Sequence, residues 1–365
     1  MENFSSVFID VTKFGTKIPS NQYLPNGKYP IIDQGQNAIA GFTNQEEGLF
    51  TDVPAIVFGD HTRVIKYVDK PCFLGADGVK LLKAKDSKAN YKYLYYVLSN
   101  ARIPDTGYNR HFKWLKEIDI PLYDAETQIK IVNELDKTTD LIDKRKEQLS
   151  KLDELVKARF VELFGNLVIG DKVDTNKKKI GEIASVTKLA GFEFTKYIQY
   201  KEQGDIIMLR GLNCKKGHLV LDDIKWIDKE TSDLLPRSKL YYGDILMTYA
   251  GTIGDVAMVD ADDKYHLAPN VAKITLNDKK ACNPIFLMHL FMYTNDYIMT
   301  FASVVAQASI NMEKIRNFEY YFPPVELQNQ FTAFVEQTDK SKLEVQKSLE
   351  KLELLKKALM QKYFG

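Results

Sequence analysis

A chain of 365 residues with 45% hydrophobic and 27% charged side chains has the composition of an ordinary globular protein of two or three domains. No apolar run reaches the roughly 20 residues of a spanning helix, and Met1–Asp10 lacks a basic-then-apolar signal, so the chain reads as cytoplasmic. A net charge of +1 excludes charge alone as a basis for holding nucleic acid. Cys72, Cys214 and Cys282 have no CxxC spacing and indicate neither a disulfide framework nor a zinc site.

The first module, residues 1–123, is rich in Gly, Asn, Asp, Pro and Tyr. Ala55–Phe58 and Arg63–Val68 read as strands around the turn Gly59-Asp60-His61-Thr62, and Tyr91–Ser99 as a short helix. A long helix fills residues 124–165, with Asp124 as N-cap and Thr127 and Gln128 in its first turn. Its stripe of Ile131, Leu135, Thr138, Ile142, Arg145, Leu149, Leu152 and Val156 has the alternating four-and-three spacing of a coiled coil. The second module, residues 166–322, offers strands at Ile206–Leu209, Leu219–Leu221, Ile245–Met247, Val256–Val259 and Ala272–Leu276, then a helix over Ile285–Phe301. A second long helix fills 323–365, with the stripe Phe331, Val335, Thr338, Lys342, Val345, Leu349, Leu352, Lys356 and Leu359. About 40 residues make a rod of about 60 Å. Arg145, Lys342 and Lys356 interrupt the stripes; they either fix register or lay their stems along the seam with their heads in water.

The two helices are one sequence used twice. KLDELVKARFVELFG (Lys151–Gly165) returns 200 residues later as KLELLKKALMQKYFG (Lys351–Gly365), and Glu126, Gln128, Thr138 and Leu149 also recur at that offset. Fainter echoes link Val11-Thr12-Lys13 with Val186-Thr187-Lys188, and Gly75–Lys83 with Ala268–Leu276. The expected fold is therefore α+β: two mixed α/β modules held apart by two long antiparallel coiled-coil helices, in a pseudo-two-fold internal repeat. Phe160, Leu163, Phe164, Met360, Tyr363 and Phe364, at the helix ends, are either core of the helix pair or, as their placement favours, surfaces that pack against the opposite module or a partner subunit.

Enzyme signatures are missing. The chain has no G-x-x-x-x-G-K, G-x-S-x-G, H-E-x-x-H or helix-opening G-x-G-x-x-G, and its five histidines are scattered. Asn283-Pro284-Ile285-Phe286 resembles the N-P-P-[FY] motif of adenine-N6 methyltransferases, but without the glycine-rich loop that accompanies it; a helix-starting turn is the ordinary reading. No catalytic residue, metal or cofactor is expected. Paired, diverged modules on a repeated spacer suit two half-sites on duplex DNA. A scaffold whose modules bind protein or RNA is the alternative, and a fused nuclease or methyltransferase a third.

The helices LDELVKARFVELFG and LELLKKALMQKYFG resemble the conserved regions of the specificity subunit of Type I restriction–modification systems. So do their approaches, Leu115–Gln128 and Ile315–Gln328, and the segments GYNRHFKWLKEI and GDILMTYAGTIGD. Pro121-Leu122-Tyr123-Asp124 departs from the more family-like Phe322-Pro323-Pro324-Val325. The resemblance implies two target-recognition domains, each reading one half of a split site in double-stranded DNA. It also implies docking of two methyltransferase subunits, with restriction subunits attached through them and catalysis left to those partners.

Base readout needs hydrogen-bonding side chains that reach groove edges. In the first module these gather at His61, Thr62 and Arg63, and at Tyr108, Asn109, Arg110, His111 and Lys113. In the second they gather at Tyr249 and Thr252, at Gln307, Ser309 and Asn311, and in a basic loop of Arg210, Asn213, Lys215 and Lys216. For each cluster a solvated loop is the plain alternative.

Overall fold

The computed structural model describes residues 1–365 apart from 77, 108, 173–174 and 304–307. The chain falls into two compact units, Met1–Glu147 with Val345–Gly365, and Gln148–Glu344. No helix among the described residues is long and apolar enough to cross a membrane.

Unit one begins with β1 (Glu2–Asn3), α1 (Phe4–Val7), β2 (Phe8–Asp10), β3 (Lys17–Ile18), β4 (Tyr29–Ile32) and β5 (Gly41–Thr43). It continues with β6 (Ala55–Gly59), β7 (Ile65–Val68), β8 (Phe73–Gly75), β9 (Val79–Ala84), α2 (Tyr91–Ser99), α3 (Phe112–Leu115), β10 (Asp119–Ile120) and the start of α4 (Ala125–Phe164). One antiparallel sheet runs β2-β9-β6-β7, a second, mixed sheet runs β3-β8-β4-β5, and β1 pairs with β10. β6 is buried along its whole length, which is why Ala-Ile-Val-Phe shows no alternation. Asn90 starts α2 by accepting from Tyr93 N at 3.1 Å, and Asp124 starts α4 by accepting from Thr127 N at 2.9 Å. That bond holds the Asp124 carboxyl below its ordinary pKa.

Unit two holds β11 (Lys177–Lys179), α5 (Ile180–Ile183), β12 (Ala184–Lys188), α6 (Gly191–Tyr197), β13 (Ile206–Leu209), β14 (Cys214–Lys215), β15 (His218–Leu219), β16 (Lys225–Ile227) and α7 (Lys229–Asp233). Then come β17 (Lys239–Leu240), β18 (Ile245–Thr248), β19 (Val256–Met258), β20 (Tyr265–Leu267), β21 (Val271–Leu276), α8 (Pro284–Tyr293), α9 (Asn295–Met299), α10 (Met312–Arg316), β22 (Glu319–Tyr321) and the start of α11 (Val325–Phe364), whose end from Val345 belongs to unit one. The expected single helix over Ile285–Phe301 is two helices. They break at Thr294, whose hydroxyl turns back to Leu290 O at 2.7 Å and contacts Tyr320 Oη at 3.0 Å.

The repeat extends through both frames. β12-β21-β18-β19 has the strand order and antiparallel pairing of β2-β9-β6-β7. Matching backbone bonds tie it in: Phe4 N to Ile118 O and Ile180 N to Phe318 O, Lys85 N to Val7 O and Asn277 N to Ile183 O. In the second sheets the trio β5-β4-β8 matches β16-β13-β20, with the same parallel central pair. The fourth strand differs: β3 joins β8 in parallel, whereas β17 joins β20 antiparallel.

The long helices run antiparallel. Within unit one, Tyr363 Oη donates to Glu134 at 2.7 Å and Arg145 Nε to Ser348 Oγ at 3.2 Å. Within unit two, Phe160 and Phe164 lie 5.3 and 5.6 Å from Phe331. The seam positions read from the sequence are inward. Ile131, Leu135, Val156, Phe331 and Val335 are buried. Lys342 spans the seam to Asp153 at 2.7 Å and also reaches Asp339 at 3.3 Å, while burial pushes the Lys356 pKa down. The helix ends pack on the modules. Phe164 and Phe160 enter the core of unit two, and Leu359, Met360, Tyr363 and Phe364 cover that of unit one.

Candidate nucleic-acid interface

In unit one the β6–β7 hairpin tip is tied to the approach to α3 by one buried residue, Asp60. Its backbone oxygen accepts from His111 N at 2.7 Å, and its carboxylate accepts from Phe112 N at 2.7 Å. Asp60 N in turn donates to Gly78 O at 2.6 Å. Gly78 has φ of +69°, and a Cβ there would lie 2.6 Å from both Gln34 Oε1 and the His61 ring, so only glycine fits. His61 Nδ1 lies 3.2 Å from Asn109 O; since a carbonyl only accepts, that nitrogen carries the hydrogen. Thr62 Oγ1 donates to Gln34 O at 2.6 Å. Three loops, around residues 34, 61 and 109, are thus stitched together.

The candidate residues divide sharply. Arg63, at φ of +63°, gives its guanidinium to Asp105 at 2.8 Å. This ion pair is exposed and easily traded for a phosphate. Arg110 is exposed and has no ion-pair partner among the described residues. Exposed Lys113 sits 4.0 Å over the Trp114 ring. Asn109 is exposed, with its amide turned to Thr106 O. Tyr108 lies outside the described residues. His111 is a correction. It is 1% exposed, with Nδ1 3.0 Å from Asp60 O and its ring against Trp114, so it braces the loop and offers nothing to a groove.

Unit two builds its hairpin tip differently. Buried Thr248 donates to Thr252 O and accepts from Asp255 N at 3.0 Å, folding the β18–β19 turn and leaving the Thr252 side chain exposed. Tyr249 O accepts from Ile310 N at 2.8 Å, its hydroxyl accepts from Asn270 N at 3.3 Å, and the Lys188 ammonium lies 5.6 Å over its ring. Ser309 is half-buried and bridges Ala250 and Ser303 through its backbone. Gln307 lies outside the described residues. Asn311 is exposed, but its side chain caps α10 by accepting from Lys314 N at 2.8 Å.

The basic loop splits the same way. Asn213 is 0% exposed and fully used: it accepts from Arg210 N at 3.0 Å and donates to Val220 O and Asp223 O at 2.8 and 2.9 Å. It is the second correction, a turn-builder and not a reader. Arg210 is clamped on Asp223 at 2.7 Å. Lys215 and Lys216 are exposed at the β14–β15 hairpin. Lys216 and Gly217 there both have positive φ, +48° and +86°, as a two-residue type I′ turn requires.

Sequence reading missed Gln34 and the β4–β5 connection around it, although the run Asp-Gln-Gly-Gln-Asn is itself a turn signal. The assembled groups are amides, hydroxyls, imidazole and cations, which suit hydrogen bonding to base edges and phosphates. Among the described residues no three His, Cys, Asp or Glu gather to hold a metal. Burial pushes the thiols of Cys72, Cys214 and Cys282 up, to about 11, 12 and 12.

A family model described as the Type I restriction modification DNA specificity domain matches residues 7–153 and 172–354. The Type I restriction enzyme EcoBI specificity subunit of Escherichia coli is 25% identical over 342 residues, covering 84% of this chain and 71% of that one. Among solved structures, a Type-I restriction-modification system S subunit from M. genitalium superposes with a TM-score of 0.57 at 17% identity, covering 100% of this chain and 95% of that one. A chain from a study of complex assembly and conformational transition in the type I R-M system gives 0.54 at 14% identity, covering 93% and 92%.

Proposed function

Since the chain belongs to the Type I restriction–modification DNA specificity family, we propose that its two units read the two halves of a divided, asymmetric sequence in double-stranded DNA. Residues 1–123 and 166–322 are the recognition domains, and the helices of 124–165 and 323–365 set the spacer between half-sites. The same helices dock two methyltransferase subunits, through which restriction subunits attach. Methyl transfer and cleavage belong to those partners, and this chain contributes the address.

One observation carries this reading: the same sheet frame occurs twice, β2-β9-β6-β7 and β12-β21-β18-β19, and carries different chemistry on equivalent hairpins. A shared frame supplies the same presentation to DNA, while unlike loops supply unlike readout. The test is to reconstitute the chain with methyltransferase subunits, expose plasmid DNA to the complex and map the methylated adenines. A motif of two unlike blocks separated by a fixed unread gap is expected. A contiguous or palindromic motif, or failure to co-elute with a methyltransferase while showing no sequence-selective binding, would overturn it.

A further inference from the structure

We propose that the β4–β5 connection, residues 33–40, is the base-reading loop of unit one. Gln36 and Asn37 are its readers of adenine, and Lys66 is the residue that positions them. The proposal rests on the reading of unit one as a DNA-facing module and names the side chains that do the reading.

Three observations meet here. First, the loop is held by its backbone and not by its readers. Asp33 Oδ1 accepts from Gly35 N at 2.8 Å, Gln34 O accepts from Thr62 Oγ1 at 2.6 Å, and Ala40 N donates to Ile31 O at 2.9 Å. The Lys66 ammonium donates to Asn37 O at 2.6 Å and to Asp33 Oδ1 at 3.4 Å. Lys66 is only 7% exposed, and a buried ammonium is costly unless its partners are fixed. Spending one on the carbonyl of a surface loop preorganises that loop.

Second, the side chains that the anchors leave over are the right ones. Gln36 and Asn37 are exposed, and neither amide has a hydrogen-bond partner among the described residues. The amide of Asn109, which adjoins the loop through His61, is by contrast turned back on its own backbone. A carboxamide can bond adenine N6 and N7 together, and an exposed apolar tip can meet a thymine methyl; Ile39 is 43% exposed at this loop.

Third, the place is repeated. β4 and β5 correspond to β13 and β16, so residues 33–40 occupy the connection that in unit two carries Arg210, Lys215 and Lys216. Unit one uses amides where unit two uses cations. Through Gln34, His61 and Asn109 the loop adjoins exposed Arg110, which is placed for phosphate.

The test uses the complex reconstituted with methyltransferase subunits and sequencing of methylated adenines. Gln36→Ala and Asn37→Ala are each expected to lower methylation of the cognate motif roughly five- to hundredfold. Both should relax base choice at one or two positions of one block, with the other block and the unfolding midpoint unchanged. Lys66→Met should flatten discrimination in that block without weakening non-specific DNA binding, and Lys66→Arg should restore it. A double Gln36→Ala, Asn37→Ala variant that keeps the wild-type rate and base choice, or that alters the other block, overturns the inference alone. A wild-type complex with no divided motif overturns the functional reading beneath it.

Discussion

Gln128 and Gln328 offer a controlled comparison inside one molecule. They stand 200 residues apart on equivalent first turns, and each amide donates to a carbonyl five residues back, Tyr123 O and Pro323 O, at 2.8 Å. Their surroundings differ. Gln128 is half-buried, so water replaces its bond when it is removed, and Gln128→Ala should cost about 0.5–1.5 kcal/mol. Gln328 is 1% exposed and its Oε1 also accepts from Asn283 N, the residue that starts α8, at 2.9 Å. Gln328→Ala therefore strands a buried carbonyl and an N–H together, at about 1–3 kcal/mol each, or about 2–6 kcal/mol in all. Urea unfolding followed by hydrogen exchange checks this, because exchange reports each unit separately where a single midpoint does not. Gln328→Ala should deprotect α8 and its neighbours in unit two, and Gln128→Ala should leave α2 nearly as protected as before. An equal or larger loss at Gln128 would refute the link between burial and cost.

Phe164→Ala, which removes a fully buried ring packed on Phe160, Phe286 and Phe331, should cost unit two about 3–5 kcal/mol by denaturant titration. Half-buried Phe364, 5.7 Å from Tyr93, should cost unit one only about 1–2 kcal/mol when truncated. His289 is buried, and desolvation, partly offset by its bond to Ile285 O, lowers its pKa to about 4 from 6.5. Its unfolded form takes up a proton first, so unit two should lose stability as pH falls from about 6.5 to about 4. His289→Leu should flatten that loss in urea titrations across the range. Arg110→Ala with Lys113→Ala should weaken DNA binding evenly across sequences and reduce the salt slope by about 1–2, with no change in unfolding midpoint. Deleting one heptad from each long helix shortens the rod by about 10 Å, roughly three base-pair steps. Methylation mapping should then show a shorter gap or lost binding, and unchanged blocks; altered blocks would mean the helices do more than space.

The long helices and the main strands were legible because their signals are extended. A stripe sustained over α4 and α11 survives Arg145 and Lys342, and β6 and β13 are apolar runs buried on both faces. Strands of two or three residues, such as β3 and β10, have no room for a period and were invisible. The echo of Gly75–Lys83 in Ala268–Leu276 falls on the paths into β9 and β21, so a faint sequence match marked a shared topology. The site was less legible, because the residue types that read bases also build turns. Asn213 and His111 proved to be braces and Asn311 a helix cap, and nothing in their identity separates those uses from groove contact. Residues 33–40 contain no Arg or His, so their composition does not distinguish them from an ordinary turn.

Unit one is sewn from distant stretches of chain: Tyr93 and Ile131 share a core with Leu359 and Phe364. A ribosome working from the amino end must release more than 200 further residues before that core can close. Until then α2 packs on its own sheet, and the part of Tyr93 and of the inward edge of α4 that Leu359 and Phe364 cover stays open to solvent. Unit two, whose residues are contiguous from Gln148 to Glu344, can complete itself first, so the order of maturation runs opposite to the order of synthesis.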